Sequence, residues 1–77
     1  MKVRLFAALR EIAGDSYVEA SGQTVGQVVD DLSGRFGERF AQIAGVGSFI
    51  VNGERADRAQ LLAEGDEVAL LPPVSGG

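Results

Sequence analysis

The residues best suited to chemistry in this 77-residue chain lie at its carboxyl end, which has the sequence LPPVSGG. Pro72 and Pro73 favour an extended polyproline conformation, which would hold the end of the chain away from the folded body. Gly76 and Gly77 lack Cβ atoms, so this end can thread a narrow channel and its carboxylate is sterically open. Such a carboxylate can attack the α-phosphate of ATP in a partner's active site and form an electrophilic acyl-adenylate. The glycine pair thus predicts a reactive handle, although small residues also end many chains as frayed termini.

The composition excludes several kinds of site. The chain has no His and no Cys, so it offers no imidazole base, no thiol nucleophile and no thiolate zinc site. Its 7 basic and 11 acidic residues give a net charge of −4, which disfavours nucleic acid and favours a protein partner with a basic docking face. The sequence shows no signal peptide and no apolar run long enough to span a bilayer. We expect a cytoplasmic protein that binds neither nucleic acid nor membrane, and we interpret its acidic pairs as solvated surface.

A capping-box spacing marks the start of the clearest helix. Thr24 and Gln27 can each satisfy a free backbone N–H group there, and apolar residues then mark one helical face over residues 25–36. Gly37 is a suitable stop for this helix. Shorter helical pieces are predicted over residues 9–13, over residues 38–44 as an irregular piece ended by Gly45 and Gly47, and over residues 57–62 as a single turn.

Alternation of apolar and polar residues predicts the strands, which are residues 2–7, 16–20, 48–51 and 67–71. The turn at residues 14–15 favours antiparallel pairing of the first two strands, and residues 52–53 form an Asn-Gly tight-turn signal. The first and last strands are candidates for pairing in the centre of the sheet. We therefore predict an α+β domain over residues 1–71, with one main helix packed across a mixed sheet of about four to five strands. An extended tail follows over residues 72–77.

Three segments resemble the small subunit of molybdopterin synthase. They are the opening VRLFAALREIAG at residues 3–14, VNG at residues 51–53, and GDEVA at residues 65–69 running into the tail LLPPVSGG. The resemblance covers essentially the whole chain, and its carboxyl-terminal motif is the most specific part. It implies a ubiquitin-like β-grasp fold, which agrees with the predicted element order.

The resemblance also implies a function as a sulfur carrier for molybdenum cofactor biosynthesis. In that family a ubiquitin-activating-type enzyme uses ATP to adenylate the terminal glycine, which here is Gly77, and a sulfur donor converts it to a thiocarboxylate. The tail then enters the active site of the large subunit, within a two-plus-two heterotetramer, and passes sulfur to a cyclic pterin precursor. No cofactor would be bound stably, and the small subunit supplies no catalytic side chain of its own. The residues that would line the insertion are Gly76, Ser75, Val74, Pro73 and Pro72.

Three apolar side chains are candidates for the partner interface. Phe6, Ile50 and Leu71 fall on the opposite faces of their strands from the alternating core residues, so they would form an apolar patch on an open sheet face. The alternative interpretation is that they complete a thin core. Leu61 and Leu62 carry the same ambiguity, and at least one of them is expected in the core.

Two other functions remain open at the level of the sequence. The first is a related β-grasp sulfur carrier or protein modifier that serves thiamine, cysteine or tRNA thiolation or is joined to lysines. The proline pair favours molybdopterin synthase, since thiamine-type carriers generally lack it. The second is a plain interaction module whose final glycines do no chemistry.

Overall fold

The computed structural model describes residues 1–74 of the chain. Eight elements follow one another, namely β1 (Lys2–Leu5), α1 (Ala7–Ala13), β2 (Tyr17–Glu19), α2 (Val25–Phe36), α3 (Glu38–Val46), β3 (Ser48–Val51), β4 (Glu54–Ala56) and β5 (Val68–Leu71). None of the helices in this described part has the length and apolar character required to cross a membrane.

The five strands form one mixed sheet in the order β2-β1-β5-β3-β4. The first and last strands are parallel neighbours in its centre, with Val3 opposite Val68 and Leu5 opposite Leu70. The other three pairings are antiparallel. This arrangement confirms the predicted α+β, ubiquitin-like β-grasp fold and the central pairing of the terminal strands.

The longest helix, α2, begins where its capping residues predict. The Thr24 hydroxyl oxygen accepts a hydrogen bond from the Gln27 backbone N–H at 3.2 Å, and the Gln27 side-chain oxygen accepts one from the Gln23 backbone N–H at 2.7 Å. Two further N–H groups of the first turn are satisfied by the segment before β5. Val25 donates to the Gln60 carbonyl at 3.0 Å and Gly26 to the Arg58 carbonyl at 2.9 Å. A long-range loop therefore completes the cap of this helix.

The predictions for two of the shorter helical pieces need correction. The piece predicted as irregular and as ended by Gly45 is a regular helix, α3, which passes through Gly45 and ends at Val46, with Gly47 as its C-cap. Its Phe40 and Ala44 are fully buried, and this packing outweighs the low helix propensity of glycine. Residues 57–60 form one hydrogen-bonded turn, in which the Gln60 N–H donates to the Asp57 carbonyl at 3.2 Å. No helical turn extends to Leu62, because the carbonyls of Arg58 and Gln60 bond to the start of α2 and Leu61 forms an isolated bridge with Thr24.

All three helices cover one face of the sheet and leave the other open. The buried residues of the strands alternate along each chain segment and point toward the helices, as the period of a strand requires. The largest side chains that are fully buried are Phe40, Leu5, Leu9, Leu32 and Leu70. Leu62 is partly buried against this core, whereas Leu61 is 72% exposed, so one of the two leucines is in the core, as expected.

Candidate functional site

The base of the tail is anchored by the last strand. Leu71 is the final residue of β5 and pairs with Ser48 of β3, and the chain beyond it becomes increasingly exposed until Val74, which is 87% exposed. Pro72 and Pro73 follow the last ladder position, as their missing N–H groups require. The tail therefore leaves from the end of a central strand. The predicted site residues Ser75, Gly76 and Gly77 lie outside the described residues.

The backbone of Gly47 packs closely against Leu71, the last residue of β5. A Cβ atom added to Gly47 would overlap the carbonyl oxygen of Leu71 and would come within 3.0 Å of the Leu71 carbonyl carbon. The backbone at Gly47 has φ −89°, which any residue can adopt, so space alone excludes a side chain here. The close approach fixes the position of the last peptide group before Pro72. From the sequence, Gly47 was predicted only to end a helix.

The open face of the sheet holds all three apolar residues predicted for a partner interface. Ile50 lies on the face opposite the buried Phe49 and Val51, and Leu71 lies on the face opposite the buried Leu70. Phe6 follows β1 in an extended conformation and lines the same open concavity as Ile50. All three side chains are half-buried. The structure thus brings them to one side of the sheet, and their role in binding stays a prediction.

Basic side chains surround this apolar patch. Strand register places five residues in one row across the open face, in the order Tyr17, Arg4, Ala69, Ile50 and Arg55. The Arg4 guanidinium carbon lies 4.7 Å from the Phe6 ring centre and 5.7 Å from that of Tyr17. The Lys2 ammonium lies 4.7 Å from the Tyr17 ring centre. These distances fit cation–π contacts. Three of the seven basic residues therefore lie on one face of a chain whose net charge is −4.

Two acidic residues of α2, Asp30 and Asp31, are engaged in local structure. Asp30 accepts a hydrogen bond from Arg58 at 2.8 Å, and Asp31 accepts from the backbone N–H of Ser21 at 2.9 Å and from Arg35 at 3.3 Å. These groups are exposed, so each ion pair contributes little to stability. Their geometry supports the interpretation of Asp30 and Asp31 as solvated surface.

Side-chain hydrogen bonds of Asn52 join the β3–β4 turn to the residues just before β5. Asn52 has the left-handed φ of 52°; its side-chain amide donates to Asp66 at 2.9 Å, and its side-chain oxygen accepts from the Glu67 N–H at 2.9 Å. The hydrogen bond from the Ala63 backbone N–H, followed by that from Asn52, lowers the pKa of Asp66 below its ordinary value. The Asn-Gly pair predicted the turn, but no local pattern in the sequence predicted the hydrogen bonds that join Asn52 to Asp66 and Glu67.

A comparison with family models identifies the kind of protein to which this fold belongs. Residues 3–77 match the model described as "ThiS family". The chain belongs to the ThiS family. It is therefore one of the small ubiquitin-like sulfur carriers and modifiers, in agreement with the coarser part of the sequence-based prediction. Membership of the molybdopterin synthase subunits in particular is not established by this match.

Three relatives of this ThiS-family chain each cover at least 95% of it. It is 37% identical over 91 residues to small archaeal modifier protein 1 of Haloferax volcanii, with all of both chains covered, and the crystal structure of that protein matches with a TM-score of 0.73. A chain of the BexX/CysO complex from Amycolatopsis orientalis is 28% identical, with a TM-score of 0.79 and coverage of 99% of this chain and 98% of that chain. A protein described as putative molybdopterin converting factor, subunit 1, from Pyrococcus furiosus is 28% identical, with a TM-score of 0.74 and coverage of 95% of each chain.

Proposed function

We propose that this chain is a ubiquitin-like carrier whose carboxyl-terminal glycine, Gly77, is activated by a partner enzyme and then joined to sulfur or to a protein amine. The observation that carries this proposal is the 37% identity to small archaeal modifier protein 1 along the full length of both chains. The family match runs through Gly77 itself, and this terminal glycine is also the residue at which the tail motif predicts chemistry.

The proposed reaction has two steps. In the first, a carboxylate oxygen of Gly77 attacks the α-phosphate of ATP, pyrophosphate leaves, and an acyl-adenylate forms in the partner's active site. In the second, hydrosulfide released by a sulfur donor, or a lysine amine that loses a proton, attacks the activated carbonyl and displaces AMP. The products are a thiocarboxylate in the first case and an isopeptide bond in the second. ATP is thus a substrate of the activating partner, and a sulfur donor is required only for the first product.

The fold would determine how far the tail extends from the domain and where it leaves the domain. The six residues from Pro72 to Gly77 can extend at most about 20 Å beyond the end of β5. Pro72 and Pro73 reduce the number of conformations available to the chain, and Gly47 fixes the point of departure. The activating enzyme would bind a surface of the domain near the end of β5. Residues 74–77 would then enter its active site.

A mass measurement tests the proposal. The full-length chain is incubated with ATP, a sulfur source and the cognate adenylating enzyme, and intact mass is recorded before and after the reaction. We expect adenylation or oxygen-to-sulfur exchange at the carboxyl end, and no modification when Gly77 is deleted. An unmodified wild-type chain beside an adenylating enzyme of proven activity would contradict the proposal. A search for peptides that carry a terminal Gly-Gly remnant on lysine then separates the modifier from the sulfur carrier.

A second candidate is the small subunit of molybdopterin synthase. The LLPPVSGG tail favours it, as does the 28% identity to the protein from Pyrococcus furiosus over 95% of both chains. In this case the thiocarboxylate would enter the large subunit and its sulfur would pass to a cyclic pterin. Deletion of Gly77 should leave binding to the large subunit intact and abolish sulfur delivery. Failure to bind any large subunit, despite thiocarboxylate formation, would favour the first candidate.

A further inference from the structure

Asn52 is the only asparagine of the chain, and Gly53 follows it directly. In an Asn-Gly pair the glycine nitrogen can attack the side-chain carbonyl carbon of the asparagine, because no Cβ atom hinders the approach. Both residues are exposed here, and a Cβ atom added to Gly53 would meet nothing within 4 Å. A small surface cavity lined in part by Asn52, Gln60 and Asp66 leaves the amide open to water. The β3–β4 turn thus brings together the two groups and the solvent that deamidation requires.

Hydrogen bonds to residues 66 and 67 hold Asn52 away from this reaction. Its side-chain nitrogen donates to the Asp66 carboxylate at 2.9 Å, and its side-chain oxygen accepts from the Glu67 backbone N–H at 2.9 Å. Its backbone N–H donates to the Glu67 carbonyl at 2.8 Å. The side-chain carbonyl carbon carries both bonded atoms, so it cannot swing onto the Gly53 nitrogen until both side-chain bonds open. Local opening of the turn should therefore limit the reaction.

Asp66 is the charged partner in this arrangement. Hydrogen bonds from the Ala63 backbone N–H and from the Asn52 amide lower the pKa of Asp66, so its side chain is a carboxylate at neutral pH. Hydrogen bonds to an ionised acceptor are roughly twice as strong as those between neutral groups. Asp66 therefore contributes more than the neutral Glu67 N–H to keeping the Asn52 amide in place.

We propose that Asn52 is a site of hydrolytic deamidation and that its hydrogen bonds to Asp66 and Glu67 control the rate. The Gly53 nitrogen loses its proton to solvent and bonds to the Asn52 side-chain carbonyl carbon. The bond from this carbon to the amide nitrogen breaks, ammonia leaves with a proton taken from water, and a succinimide ring remains. One water molecule then opens the ring and gives aspartate or isoaspartate. No partner protein takes part, so the inference does not depend on the proposed function.

The product would no longer fit the contacts that Asn52 makes. The aspartate product would place a carboxylate oxygen where the Asn52 nitrogen now donates, 2.9 Å from the Asp66 carboxylate, and the two like charges would repel each other. The isoaspartate product would add a methylene group to the main chain of the two-residue turn between Val51 and Glu54. Either product would separate this turn from the residues just before β5, which is a central strand of the sheet.

Ageing of the full-length chain at physiological pH and temperature tests the proposal. Peptide mass mapping measures replacement of the Asn52 amide by a carboxylate, and labelling by an isoaspartyl methyltransferase detects isoaspartate. We expect slow modification of the folded wild-type chain and faster modification of the same chain in guanidinium chloride. Asp66→Ala should deamidate about tenfold faster than folded wild type, because the hydrogen bond to a charged acceptor is lost. Asp66→Ser keeps a neutral acceptor and should give a smaller increase, and it serves as the test if Asp66→Ala does not fold.

Two control variants separate local opening from other causes. Asp15→Ala removes another exposed carboxylate that accepts a backbone N–H bond, from Tyr17 at 3.3 Å, and it changes the net charge by the same amount as Asp66→Ala. Thr24→Ala weakens the domain at the start of α2, away from the turn. Both controls should deamidate at the wild-type rate.

The outcomes that overturn the inference are distinct. Absence of the modification from the folded wild-type chain after several weeks excludes the site. Equal rates in wild type and in the Asp66 variants, or in folded and denatured chains, show that the hydrogen bonds do not control the reaction. Equal acceleration in Asp15→Ala or Thr24→Ala assigns the effect to net charge or to global unfolding.

An independent measurement tests the effect of the product. Asn52→Asp carries the same side chain as the aspartate product and should lower Tm at neutral pH by roughly 5–10 °C, the size expected for loss of one hydrogen bond in a small domain. A variant that melts at or above the wild-type temperature would show that the product leaves the turn attached, and would overturn this part of the inference.

Discussion

Replacement of Gly47 by alanine should displace the base of the tail. The added Cβ would overlap the Leu71 carbonyl oxygen and approach its carbonyl carbon to 3.0 Å. The atoms that the Cβ would meet are all backbone atoms, so no flexible side chain can move aside. The change must therefore separate the start of β3 from the end of β5 at the position where Ser48 pairs with Leu71.

The cost of this change can be estimated from two effects. Overpacking at a tight site costs about 1–3 kcal/mol, and loss of one ladder hydrogen bond costs about 0.5–1.5 kcal/mol. Together they lower the free energy of unfolding by about 2–4 kcal/mol. In a domain of this size, that corresponds to a fall in Tm of roughly 10–25 °C.

Gly45 provides a matched control two residues away. It lies inside α3, and a Cβ added to it would meet no atom within 4 Å. Alanine is favoured over glycine inside a helix by about 0.5–1 kcal/mol, so Gly45→Ala should raise Tm. Differential scanning calorimetry of both variants measures the contrast. If Gly47→Ala melts at or above the wild-type temperature, Gly47 does not limit the approach of the two strands and the reasoning fails.

Three further predictions concern residues that stabilise the folded domain. Because the pKa of Asp66 is lowered from 3.8 in the folded state by the Ala63 N–H and the Asn52 amide, its stabilising effect is present above that value and is lost as pH falls through the lower folded pKa. Asp66→Asn should thus be less stable than wild type near pH 6, and the difference should shrink as pH is lowered below 3.8, as urea denaturation over this pH range would reveal. Thr24→Ala removes the α2 cap and should cost about 1 kcal/mol in urea denaturation, and an unchanged midpoint would contradict this role. Phe40→Ala empties a fully buried site and should lower the free energy of unfolding by about 3–5 kcal/mol, a loss that a small change in Tm would disprove.

Local patterns were sufficient to predict most of the fold. The alternation in β1 and β5 gives both the strands and their buried faces, since a strand of period two places Val3 and Leu5 on one side. The capping residues gave the start of α2, and Gly37 gave its end. These features depend on residues close together in the chain, so the sequence alone carries the information.

Long-range contacts account for what could not be predicted. Gly45 signals a helix end by propensity, but α3 continues because Phe40 and Ala44 are buried against other elements. A single helical turn was predicted over residues 57–62, yet only residues 57–60 form a turn, because the carbonyls of Arg58 and Gln60 cap α2 across the molecule. Net charge likewise could not give the position of Arg4 and Arg55, because strand order brings them into one row. The predicted roles of the glycines at the end of the tail remain predictions.

The central pairing of β1 with β5 has a consequence for synthesis of the protein. The two strands are parallel partners although nearly the whole chain separates them, so the middle of the sheet cannot form until the last strand has been made. Contacts of such sequence separation also form slowly. A chain interrupted before Leu71 would lack a central strand and could not complete its core. Translation products that stop early should therefore be substrates for proteolysis, and only chains in which β5 has been fully synthesised would fold.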